Sequence, residues 1–173
     1  MLQNLVIGAI GSLIASILFL LSLYQLRPKI AISPEIAKTS YDGKTVYAIK
    51  IINSGNRDVV DIRAELLMLE PRVMDGGIGK NILQFSLARE QWFLLHPISK
   101  SKDGNEFNNT FEFITADNIH DDWAKHENSY LLFQVHAQDV LSWFSEVFSH
   151  EYYSWEDIIE GRFSVGSSMK IST

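Results

Sequence analysis

The sequence contains no cysteine, only four prolines, and no charged side chain before Arg27. Each shortage excludes something. Without cysteine there is no disulfide framework to argue for an oxidising compartment and no thiolate nucleophile. The prolines are dispersed, and neither a low-complexity linker nor an internal repeat interrupts the chain. Gly-x-Ser-x-Gly and phosphate-loop patterns are missing as well, so neither of those catalytic chemistries has its usual backbone setting. No enzymatic activity is expected, and no cofactor.

The missing charge at the N-terminus carries the most information. A cleaved secretory signal needs a basic residue ahead of a short apolar core and a small-residue cleavage site. Here the first basic residue comes after the apolar run, in Arg27-Pro28-Lys29. At a rise of about 1.5 Å per residue, the roughly 22 residues from Leu5 to Leu26 extend about 33 Å, enough for a bilayer core of about 30 Å. The sequence therefore predicts a transmembrane helix over residues 1–26, uncleaved. Arg27, Lys29 and Lys38 all follow the span, and basic residues near a span are retained inside. That predicts a single-pass protein of the cell (inner) membrane, with its N-terminus outside and its C-terminal domain cytoplasmic. Asn108-Asn109-Thr110 matches a glycosylation sequon, which is inert in that compartment.

After Lys29, 144 residues remain, enough for one domain with a genuine core and too few for two. Of the 15 Lys and Arg, 13 lie after position 29, against all 21 Asp and Glu, so this part has a formal charge of −8. Such a surface is a poor general nucleic-acid binder, because that affinity comes mostly from cations on phosphate. No nucleic-acid partner is expected.

Apolar residues here recur with a period nearer two than 3.6, which reads as strands. In Val46–Asn53, Tyr47, Ile49 and Ile51 share one face and Val46, Ala48 and Ile52 the other, so this strand is expected to be buried on both sides. Asn53-Ser54-Gly55-Asn56 supplies turn chemistry. Val59–Leu69 sets Ile62, Ala64, Leu66 and Met68 against Asp61, Arg63 and Glu65, and Pro71 is expected to close it. A glycine-rich loop at 75–79 leads to Ile82–Leu87, and another strand is expected from Trp92 to Ile98. Thr115–Lys125 reads as a short helix capped by Thr115 or Asp117, with Ile119 and Trp123 on one face. Further strands are expected at Tyr130–Gln138, Val147–Ser154 and Arg162–Val165. The fold class is mainly β, an immunoglobulin-like β-sandwich with one short helix. Residues 27–44 are read as a basic juxtamembrane linker with a first strand, and 45–173 as the sandwich.

Taken in order, several segments resemble the cytoplasmic domain of inward-rectifier potassium channels. Arg27-Pro28-Lys29 is similar to the linker after that family's inner helix, and Asp42-Gly43-Lys44 to its first hairpin. Val60-Asp61-Ile62-Arg63-Ala64 resembles a following strand, and His96-Pro97-Ile98 a His-Pro-Ile strand end. The short helix near Asp117–Trp123, the strand Tyr130–Ala137 with Asp139 after it, and Tyr153–Phe163 continue the likeness. The resemblance implies a homo-oligomer, tetrameric as in the channels, responsive to membrane lipids or a ligand. It implies lipid-headgroup contacts for Arg27 and Lys29. The chain departs from the family in having one span and no Thr-x-Gly-(Tyr/Phe)-Gly filter, so it cannot build that selective pore alone. Ser99-Lys100-Ser101-Lys102-Asp103 replaces an acidic segment, and Glu160 stands where the family has Trp.

Within the span, Gly8, Ser12 and Ser16 form a small-residue stripe, with Gly11 and Ala15 beside it, a pattern suited to helix self-association. His120 and His126 are six apart and face different sides of a helix, so no metal site is expected. His96 and His136 read as hydrogen-bonded core or rim residues. Leu141, Trp143, Phe144 and Phe148 form an apolar cluster, read first as core, with subunit or membrane-surface contact as the other readings. Two functions follow: an oligomerising, ligand- or lipid-responsive interaction module, with a possible protein partner in the membrane, or a subunit of a pore or potassium-channel-like assembly.

Overall fold

The structure, a computed structural model, describes residues 2–99, 108–126 and 128–173; in the first helix, α1 (Leu2–Gln25), it describes the side chains of residues 7, 8, 10–23 and 25. Among the described residues no helix is long and apolar enough to cross a membrane. The described part of α1 nevertheless exposes Ile7, Ile10, Leu13, Ile14 and every residue from Ile17 to Leu21. Five consecutive positions cover every face of a helix, so α1 has no polar side over that stretch.

The remainder is mainly β. Strands β1 (Ile30–Ile32), β2 (Ile36–Tyr41), β3 (Lys44–Asn53), β7 (Thr110–Thr115) and β10 (Ile158–Glu160) form one sheet. Strands β4 (Val59–Met74), β5 (Gly77–Phe85), β6 (Gln91–Leu95), β8 (Tyr130–Asp139) and β9 (Ser145–Tyr152) form the other. Each is organised about one long strand. β3 has β7 on one side and β1 and β2 end to end on the other. β4 has β8 on one side and β6 and β5 end to end on the other.

The two sheets share one core. Ile36, Tyr47, Ile49, Ile51 and Phe113 from the first meet Ile62, Leu66, Met68, Leu131, Phe133 and Val135 from the second. The rings of Phe113 and Phe133 stand 5.7 Å apart. On the other face of β3, Ala48 and Ala37 pack against Phe163 in a short ribbon, β11 (Arg162–Phe163) with β12 (Ile171–Ser172). Eight consecutive residues of β3, Val46 to Asn53, are buried as a result. Gly161 admits the ribbon: its φ is +142°, and a Cβ there would overlap the Ser172 carbonyl.

Several expectations need correction. Residues 27–44 contain two strands of the first sheet, so the linker shrinks to Leu26–Lys29. Pro71 does not close β4, which runs to Met74. Past Leu69 its only neighbour among the described residues is β5, so one edge needs no donor, and a residue without an N–H is tolerated there. β5 begins at Gly77 and ends at Phe85, and β6 stops at Leu95, short of Ile98. Helix α2 (Ile119–Ala124) is capped by Asn118, whose side chain accepts from the Asp121 amide. The two expected caps are engaged elsewhere: Asp117 accepts from the Ser86 amide at 2.6 Å, and Thr115 from the Asp117 amide at 3.1 Å. Ile119 and Trp123 are buried as expected.

The sheets are also joined by a polar bond. Tyr152 on β9 is fully buried, and its hydroxyl donates to the Ser33 carbonyl, just after β1, at 2.8 Å. Burial raises the phenol pKa, so it remains a donor across the ordinary pH range. Tyr152→Phe leaves that buried carbonyl unpaired and is expected to cost about 1–2 kcal/mol. Urea unfolding of the full chain in detergent, with unchanged denaturant dependence, checks this.

Candidate functional site

The end of α1 presents carbonyls with no intrahelical partner, as every helix end does. α1 has no basic residue in its last turn, so it cannot satisfy or compensate them itself. The domain does both. Arg57 donates from Nη2 to the Gln25 carbonyl at 3.2 Å, and the Ser142 hydroxyl lies 2.7 Å from the Leu26 carbonyl.

Both of these side chains are held by Asp139. Its side chain is 1% exposed and accepts from Arg57 Nε at 2.7 Å and from the Leu141 and Ser142 amides at 3.1 and 2.8 Å. The Ser142 hydroxyl, 2.9 Å from Asp139 Oδ1, has one proton to share between that carboxylate and Leu26. Burial alone would push the carboxyl up, but the hydrogen bonds from Ser142, Arg57 and Leu141 outweigh it and hold the pKa below the usual range.

Above this pair lies a cavity of about 610 Å³ between the end of α1 and the domain. Its wall includes Gln25, Arg27, Lys29, Asn53, Asn56 and Arg57. The turn that forms one side is built on Asn53, fully buried, which donates to the Arg57 and Leu95 carbonyls and accepts from the Gly55 amide. Among the described residues three cations border the cavity, and the carboxylate in its wall, Asp139, is already paired with Arg57. The chemistry suits an anionic group.

The sequence singled out Arg27 and Lys29, and the structure brings both to this wall. It missed Arg57, Asp139 and Ser142. Asp139 and Ser142 do carry a local signal, since Asp three residues before Ser in a non-helical stretch favours a turn closed by its own side chain. Arg57 carries none. The small-residue stripe, Gly8, Ser12, Ser16, Gly11 and Ala15, lies on α1 with open space at both glycines. The Ser16 hydroxyl bonds back to the Ser12 carbonyl at 2.8 Å.

Of the histidines, His96 has its ring Nδ1 2.8 Å from Asp58, a rim pair as expected, whereas His136 Nδ1 is buried with no partner among the described residues. His120 contacts Asp121 and His126 contacts Glu70, so the two part company. Among the described residues no cluster of three metal-ligating side chains exists.

A second cavity, about 460 Å³, lies on the outer side of the first sheet and is lined by small and apolar residues including Ala37, Ala48, Ala88 and Phe163. Glu112 opens into it and stands beside Lys50 in the register of β3 and β7. Burial pushes the Glu112 pKa up, partly countered by Lys50, and pushes the Lys50 pKa down, partly countered by Glu112. Lys50 is 2% exposed and donates to the Ser164 carbonyl at 2.7 Å, fastening the C-terminal ribbon.

No family model and no curated protein matches the chain. Solved structures with some likeness include a Bordetella pertussis protein assigned as ApaA, 11% identical over 73% of this chain and 92% of that one, with a TM-score of 0.39. Another is a FixG-related protein from Vibrio parahaemolyticus, 12% identical over 74% of this chain and 96% of that one, with a TM-score of 0.32. At those scores neither supports an argument about function.

Asp139→Ala removes the anion that Arg57 and Ser142 share, and is expected to destabilise the full chain by about 3 kcal/mol, in the range for breaking a buried pair. Because the folded pKa is lowered, the carboxylate's contribution is complete above its ordinary value of 3.8 and is lost as pH falls through the lower folded value. Thermal unfolding in detergent from pH 7 to pH 2 should therefore show the wild type converging on Asp139→Ala only at the acid end.

Proposed function

We propose that this is a non-enzymatic, single-pass membrane protein whose α1 spans the bilayer and whose domain, an immunoglobulin-like sandwich on the cytoplasmic side, is a lipid- or ligand-responsive oligomerising module. The observation that carries the reading is the clamp at the end of α1. Arg57 and Ser142 reach the carbonyl of the last helix residue, Gln25, and that of Leu26 just after it, and Asp139 holds both. A linker that served only as a tether would need no such contacts. A clamped helix end instead moves with the domain.

An anionic group in the 610 Å³ cavity would touch the helix exit through Arg27 and Lys29 and the domain through Arg57. Such a ligand shifts the packing of the helices only if it binds two arrangements unequally. The small-residue stripe on α1 supplies a face on which those helices can meet. The charge-free sequence of residues 1–26 and the basic exit support the span and its orientation. The resemblance to the cytoplasmic domain of inward-rectifier channels supports a tetramer, and the absent filter sets this chain apart from a selective pore.

The full chain expressed in cells should stay with the membrane after alkaline carbonate extraction, and its domain should resist protease added from outside. Release into the supernatant would reject the span, and digestion by external protease would reject the orientation. In detergent the protein should have the mass of a multimer, and a monodisperse monomer would reject the oligomer. Reconstituted in planar bilayers it should pass no current; a reproducible single-channel conductance would favour the pore reading instead.

A further inference from the structure

Leu141, Trp143 and Phe144, which the sequence reads first as core and otherwise as a subunit or membrane-surface contact, lie outside the core. Leu141 and Trp143 are each 72% exposed, and Val140 and Phe144 are 37% and 39% exposed. Only Phe148 of that cluster packs against the core. Single exposed apolar residues are ordinary on protein surfaces. Four in a stretch of five, at one hairpin tip between β8 and β9, are not.

The tip is built to keep them outside. Asp139 accepts from the amides of Leu141 and Ser142, and its carbonyl accepts from the Trp143 amide at 3.1 Å. Gln138 donates to the Trp143 carbonyl at 3.0 Å. Trp143 is held at φ +61°, a left-handed conformation that a bulky side chain adopts at a cost. These bonds fix the backbone of the tip with Trp143 exposed.

The place of the tip decides what covers it. Ser142, between Leu141 and Trp143, lies 2.7 Å from the Leu26 carbonyl, at the exit of α1. Consecutive Cα atoms are about 3.8 Å apart, so both neighbours start within about 10 Å of the helix end. The headgroup layer on each side of the hydrocarbon core is about 5–8 Å deep. Arg27 and Lys29 stand at the same exit.

We propose that the hairpin tip Val140–Phe144 is an interfacial membrane anchor, which inserts Leu141 and Trp143 into the headgroup layer of the leaflet from which α1 emerges. Tryptophan favours that layer because its ring is apolar and its N–H polar. With α1 it gives the domain a second point of attachment, which fixes its tilt against the membrane and holds the cavity beside Arg57 at headgroup depth. The inference rests on the reading of α1 as a membrane span.

The test uses the full chain in vesicles of phosphatidylcholine and phosphatidylglycerol, with one environment-sensitive fluorophore on a single introduced cysteine, since the native chain has none. Leu141→Cys reports the tip, and Ile17→Cys reports α1. Lipids carrying a spin-label quencher either just below the headgroup or near the chain end read the depth. The tip label is expected to lose most of its emission to the shallow quencher and little to the deep one, and the α1 label the reverse. An α1 label quenched deeply beside a tip label untouched by either lipid would leave the span intact and overturn the anchor. A tip label shielded from a water-soluble quencher but not reached by lipid would also overturn it, by placing a second copy on the tip. An α1 label that neither lipid quenches would reject the span, and the anchor with it.

Discussion

A buried carboxylate, Asp139, is the interaction on which the joint between helix and domain depends. It gathers donors from two elements: the Arg57 guanidinium from the turn after β3, and the Leu141 and Ser142 amides from the hairpin tip. Burying such a charge is costly unless it is paired and hydrogen-bonded, and here both conditions are met. Its partners then have fixed positions from which to reach the carbonyls of Gln25 and Leu26. One anion thus orders a turn, a hairpin and a helix end together. The strained Trp143 backbone is supported from the same residue, through the Asp139 carbonyl.

The scaffold behind that joint is rigid for a different reason. β3 and β4 are long, each takes neighbours on both edges, and their inner faces contribute to one core. β3 is also covered on its outer face by the C-terminal ribbon, where Lys50 reaches the Ser164 carbonyl. A charge placed there is poorly solvated, so Lys50 and the neighbouring Glu112 shift toward their neutral forms. The turn carrying Arg57 follows directly from the far end of β3, and the hairpin tip follows directly from β8. The joint therefore inherits the stiffness of both sheets.

Much of this was legible from local pattern. The double-sided burial of β3, the alternation along β4, the turn around Asn53 and the pairing of Ile119 with Trp123 all follow from spacing and side-chain chemistry. The misreadings share a cause. Pro71 reads as a stop because a proline denies a donor, yet whether a donor is needed depends on the neighbouring strand. Thr115 and Asp117 are good caps that other backbone groups had already engaged. The Leu141–Phe144 cluster has core composition and lies at a tip, because composition states what a segment prefers and not where its ends are pinned.

By itself the sequence determined the charge-free opening run, the basic exit at Arg27 and Lys29, the acidic mainly β domain and the lack of thiol chemistry. Those depend on the identity and spacing of neighbours along the chain. Only the tertiary structure decided that Arg57, Asp139 and Ser142 meet at the end of α1, that a cavity opens beside them, and that Trp143 stays outside. Residues 57 and 139 are 82 positions apart and are joined by a 2.7 Å bond. No local period encodes a contact of that range, because it exists only once β4 and β8 have paired and brought both ends to the same edge.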